Sequence, residues 1–176
     1  MNVLKRTPAL AMIALVVVAL AQFSHFAPRL PERIAVHFGT GGANGWSDTR
    51  TFLITYGAVE AAIVVMALLV GRIMERSPAS AINIPNRDYW LAEVRRRATV
   101  DYVTEQFLWM ECLTLAFLIA VAQTIFKANL RGGAPTLPQD FWVSLVAFIA
   151  GVGWICVRIV TRFGPPPRSA PPRSTD

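Results

Sequence analysis

Four separate apolar runs, at about residues 7–26, 51–71, 105–126 and 140–160, constrain this chain more than any other feature. A hydrocarbon core roughly 30 Å thick is crossed by about 20 helical residues, and each run is that long. The fold expected is all-α: an integral membrane four-helix bundle with short loops. A single transmembrane domain then covers residues 1–163. Residues 164–176, rich in proline, form a tail that has nothing to bury and is expected to be disordered.

Composition sharpens this. Of 176 residues, 54% are hydrophobic and 16% charged. The spans use about half of the chain, so no stretch remains for a separate soluble domain. The net charge of +6 does not point to nucleic acid, because the basic residues flank the spans, where they set orientation and meet anionic headgroups. Cys112 and Cys156 both fall inside apolar runs and read as small buried hydrophobes.

Charge also sets the expected orientation. Twelve Lys and Arg lie in the N-terminus, the 72–104 loop and the C-terminal segment, against five in the 27–50 and 127–139 loops. The positive-inside rule places the first group and both termini in the cytoplasm. An alternative reading takes Lys5, Arg6, the first apolar run and Ala19-Leu20-Ala21 as a cleavable signal peptide, which leaves the sidedness of the loops unchanged.

Local signals mark the ends of the spans. Thr7-Pro8 predicts a helix start with proline in the first position. Ser47, Asp48 and Thr49 are capping types ahead of the second span, and Asp140 is placed to cap the fourth. Ala147 and Gly151 form a small-xxx-small pair suited to close helix contact. In the 72–104 loop, Leu91, Val94, Ala98 and Tyr102 follow helical spacing beside Arg95, Arg96 and Arg97, with Tyr89 and Trp90 suited to headgroup level. An interfacial amphipathic helix leading into the third span is expected there, its arginines meeting anionic lipid.

Two segments are more particular. The outer one runs Leu30-Pro31-Glu32-Arg33-Ile34-Ala35-Val36-His37-Phe38-Gly39 and on through Gly41, Gly42, Asn44 and Gly45 to Trp46. It reads as an extended piece feeding a glycine-rich turn, with Trp46 able to anchor it on the membrane surface. A phosphate-cradling role needs a strand–loop–helix setting that is missing here. The cytoplasmic one is Asn83-Ile84-Pro85-Asn86-Arg87-Asp88-Tyr89-Trp90-Leu91.

Together these motifs resemble the conserved domain, itself of unknown function, of SdpI-type bacterial membrane proteins. The resemblance covers about residues 8–126. The chain departs from that pattern at Ala35, where the family has proline, and at Arg50, where it often has lysine. The immunity protein that names the family has spans beyond the fourth, which this sequence does not carry. The resemblance implies a membrane protein and leaves the relative's immunity and repressor-binding roles untransferred.

Ionisable groups inside the spans are the remaining candidates. Glu60 lies near the middle of the second run, where a charged carboxylate costs about 3 kcal/mol on insertion scales unless neutralised or paired. Glu111 lies nearer the cytoplasmic end of the third. The functional reading is a polar pathway with Glu60 as a protonation or cation site, and the plain one is a hydrogen bond to a neighbouring helix. His25 and His37, with Asp48 or Glu32, make a weak metal set, and structural hydrogen bonds are the simpler reading. No hydrolase elbow, zinc-protease pair, kinase lysine motif or dinucleotide fingerprint occurs, so no enzyme and no cofactor are expected.

The function expected is a small multi-pass protein of the bacterial inner membrane that recognises a ligand or peptide at its outer face. Its candidate residues are His37, Phe38, Gly39, Gly45 and Trp46. The cytoplasmic motif contributes Pro85, Asn86, Arg87, Tyr89 and Trp90, and the membrane interior Glu60 and Glu111. The expected surroundings are the lipid bilayer, with a peptide or protein partner at the outer face and a homo-oligomer left open. Two alternatives stand beside this: a small transporter or proton-coupled device using Glu60, and a structural or assembly subunit.

Overall fold

The structure, a computed structural model, describes residues 3–131 and 134–165, with side chains from Thr7 onward. Four helices carry the apolar runs: α1 (Val3–Phe26), α2 (Thr49–Arg76), α4 (Glu93–Leu130) and α5 (Asp140–Arg162). Each is long and apolar enough to cross a membrane. In hydrocarbon a backbone has to satisfy its own polar groups, and a helix does so within one segment. Between α1 and α2 lies a hairpin of β1 (Arg33–Gly39) and β2 (Gly42–Asp48). Between α2 and α4 lies the four-residue helix α3 (Arg87–Trp90). The tail beyond Pro165 lies outside the described residues.

The bundle is organised around α4. Helices α1, α2 and α5 each lie against it, and among the described residues it carries more buried side chains than any other element. The outward faces of the other helices expose Leu10, Ile13, Leu68, Val143, Val146 and Ile149, a surface suited to lipid and not to water. Gly151 eases the close approach of α5: a Cβ there would stand 2.7 Å from Leu113 Cδ2 and require that side chain to shift. Phe117 and Phe148 stack beside it at 4.6 Å. Of the small-residue pair, Gly151 is thus used within the chain, while Ala147 is exposed. Cys112 is buried and its Sγ donates to the Pro8 carbonyl at 3.4 Å, whereas Cys156, expected to be buried, is exposed on the apolar face of α5.

Several boundaries differ from those expected. Helix α1 begins ahead of Pro8, which lies inside it. In the second turn of the helix, the proline lacks the N–H that would bond to the carbonyl four residues back, so α1 forfeits one bond there. Asp140 does not cap α5. It is the first helical residue, Gln139 is the cap without a side-chain bond, and Asp140 instead pairs with Lys127 at 3.5 Å.

The expected interfacial helix is the beginning of α4 itself, which runs 38 residues without a break, about 57 Å at 1.5 Å per residue. Extended backbone at Ala92 separates Leu91 from that helix. Leu91 and Val94 therefore do not share a helical face: Leu91 is buried and Val94 is 93% exposed. The buried face of these first turns is formed by Thr99, Val100 and Val103.

Candidate functional site

The hairpin stands on the ends of the helices. Strands β1 and β2 pair antiparallel from Arg33 opposite Asp48 to Gly39 opposite Gly42, with register shifts around His37. Gly42 takes a φ of 105° at the turn, a conformation that glycine adopts without a side-chain penalty. At Gly45 a Cβ would stand 2.6 Å from the Cβ of His37, its partner across the strands. Only glycine leaves His37 that space.

Helix α4 holds the hairpin through one side chain. The Ala35 N–H donates to Asn129 Oδ1 at 2.7 Å, and Asn129 Nδ2 donates to the Ala35 carbonyl at 2.9 Å. The same amide donates to the Ile125 carbonyl at 2.9 Å, within its own helix. Asn129 thereby pairs with the edge of β1 at Ala35 as a further strand would. The Ala43 N–H donates to the Pro135 carbonyl at 3.0 Å, and the Thr49 N–H closes the base on the Glu32 carbonyl at 2.9 Å. Ile34 and Ala35 are fully buried. Nearby, the fully buried Phe126 packs against Phe23, Phe26 and Phe52 with ring centroids 5.2–6.2 Å apart.

The outer side of the hairpin is open. His37 and Gly39 are exposed, Phe38 and Gly45 half-buried, and Trp46 is 47% exposed. Asp48 caps α2 by accepting from the Thr51 N–H at 3.0 Å. Hydrogen bonding from Thr51, then the neighbouring Arg50, holds its carboxyl below the usual carboxylate range. His25 accepts a hydrogen bond from Arg29 on the next turn. Among the described residues no three metal-ligating side chains converge.

At the opposite, arginine-rich end, the 77–92 segment folds over the helices. Ile82, Ile84, Leu91, Val100, Val103 and Phe163 form one buried cluster there. Asn86, in the left-handed region at φ 52°, donates from Nδ2 to the Phe163 carbonyl at 2.9 Å. Trp90 Nε1 donates to the Gly164 carbonyl at 3.2 Å. These are carbonyls just past the end of α5, where a helix leaves acceptors without partners.

Arginines lock the same segment. The Arg95 guanidinium lies 3.8 Å from the Tyr89 ring centroid and donates to the Tyr89 carbonyl at 2.8 Å. Arg162 lies 5.0 Å from the Trp90 ring centroid, and Arg96 donates to the Ser77 carbonyl. So Arg95 and Arg96, expected to meet lipid, bind the chain's own loop. Asn86, Tyr89 and Trp90 have a structural account, while Pro85 and Arg87 are exposed.

Within the spans, Glu60 is buried and lines a cleft between α1 and α2 with Leu115 of α4 at its floor. Its Oε1 has no hydrogen-bond partner. Glu111 is half-buried and does not line this cleft. Leu115 shares its face of α4, one turn away, and no hydrogen bond joins the two acids. Gln22 donates to the Ile119 carbonyl at 3.0 Å and to Gln123 Oε1 at 2.9 Å, tying α1 to α4.

Asn129 and Phe163 carry much of this arrangement and were not singled out from sequence. Their only sequence signal is position, a polar residue and an aromatic one just past the end of an apolar run. Compared with known proteins, the chain matches no family model, no curated protein and no solved structure.

Proposed function

We propose that this is a recognition protein of the bacterial inner membrane whose hairpin faces outward and takes a peptide or protein ligand on His37, Phe38 and Trp46. The observation that carries the reading is a hairpin held by Asn129 and Pro135 that nonetheless leaves Trp46 and His37 uncovered. A pre-organised surface loses little freedom on binding, and tryptophan is among the side chains that carry most binding energy at interfaces. The distribution of Lys and Arg supports the outward placement.

Helix α4 supplies the connection to the other side. Near one end Asn129 grips the hairpin, and near the other the Thr99 hydroxyl holds the arginine-rich loop by donating to the Trp90 carbonyl at 2.8 Å. Immunity to a membrane-active peptide is one form of this reading, by analogy alone with the SdpI-type proteins that the two motifs resemble.

The test is photo-crosslinking in native membranes from a photoreactive side chain placed at Phe38. A discrete adduct that disappears with Trp46→Ala supports the reading and identifies the partner. A correctly inserted protein that gives no adduct overturns it. The second reading, a transporter or proton-coupled device, is favoured by the buried Glu60. It requires that Glu60→Gln abolish flux into vesicles, a change that leaves recognition at the hairpin intact.

A further inference from the structure

We propose that the cleft between α1 and α2 is a binding site, open to the bilayer, for a lipophilic cation: a molecule with an apolar body and one protonated amine, with Glu60 as its counter-charge. The site lies in the membrane-spanning part of the fold, apart from the hairpin, so its failure leaves the recognition reading standing.

The cleft arises because α1 and α2 both lie against α4 and leave space between them. Its volume is about 450 Å³, with Val16, Phe23, Gly57, Glu60, Val64 and Leu115 in its lining. That falls within the range of small-molecule sites. At its edges Leu20 and Val65 are 64% and 52% exposed, so the cleft opens onto the apolar surface. Gly57 keeps part of the space free: a Cβ built there meets nothing within 4 Å.

The chemistry of the lining selects the occupant. Glu60 is 7% exposed and its Oε1 is unpartnered, and the other lining residues are all apolar. Tyr56, one turn away on α2, is committed to the Leu118 carbonyl at 2.6 Å. Among the described residues no cation of the chain lines the cleft. An apolar ligand would leave the carboxyl oxygen unsatisfied, which is costly in these surroundings, and an anionic one would be repelled. A protonated amine satisfies it with a charge-assisted hydrogen bond, and the Phe23 ring in the wall favours a cation further.

The test uses the full chain in zwitterionic nanodiscs with a diazirine-bearing dodecylamine, and the matching diazirine-bearing dodecanol as neutral control. The result expected is labelling of peptides from α1 and α2 by the amine, competed by unlabelled dodecylamine. Glu60→Gln should reduce it at least about tenfold, the scale of losing one charge-assisted hydrogen bond. Gly57→Leu, which fills the cleft and improves helix propensity while keeping Glu60, should reduce it as much. Equal labelling by amine and alcohol, or amine labelling unchanged in folded Gly57→Leu, overturns the proposal.

Discussion

Replacing Asn129 by leucine should release the hairpin while leaving the helices in place. The substitution removes both partners of Ala35, a residue with no exposed surface. Its N–H and carbonyl are then left without hydrogen bonds, at about 1–3 kcal/mol for each buried polar group. Asn129 is itself half-buried, so water reaches part of the site and the lower end applies, about 2–3 kcal/mol in total. Such a loss falls on local opening of β1 rather than on unfolding of the bundle. Amide exchange over residues 33–39 should accelerate by about 30-fold or more, with α4 unchanged over residues 99–119. Asn129→Asp keeps an acceptor for the Ala35 N–H and loses the donor, so it should fall between the two. Exchange in β1 within threefold of the parent, in a protein whose helices are intact, would refute the clamp and the rigid platform built on it.

Three further outcomes follow from the same geometry. Gly45→Ala forces a Cβ to within 2.6 Å of the His37 Cβ and should destabilise the hairpin by about 1–3 kcal/mol, read as faster exchange in β2. Phe163→Ala empties the centre of the arginine-rich-end cluster and should cost about 3–5 kcal/mol, seen as a lower melting temperature in detergent. The Asp48 carboxyl is held below its ordinary value of 3.8, so its contribution is complete above that pH. It is lost as the pH falls below it through the folded value. The Thr51 amide resonance should shift over that acidic window, and Asp48→Asn should remove the shift.

Much of the architecture was legible in the order of residues. Four runs of helical, membrane-spanning length are a local property, because each helix satisfies its own backbone whatever its neighbours do. The Asp48 cap and the glycine turn between Phe38 and Trp46 are likewise local chemistry. The two motifs also stood out, but their roles did not. His37 and Trp46 are left open on the hairpin, whereas Asn86 and Trp90 bond to the carbonyls of Phe163 and Gly164 at the end of α5. Nothing within either motif distinguishes those outcomes, because the partners lie more than seventy residues away.

What tertiary structure alone decided is rotation and pairing. Sequence places Glu60 in the middle of a span. Only the packing of α1 and α2 against α4 turns it into a cleft that no cation among the described residues lines. Asn129 becomes the hairpin's anchor because the end of α4 comes to rest beside Ala35. Val94 is exposed and Leu91 buried because the helix begins between them. Apolar periodicity says how much of a helix is buried. Which neighbour covers it is set by contacts between elements distant along the chain, and there the physical reach of the sequence ends.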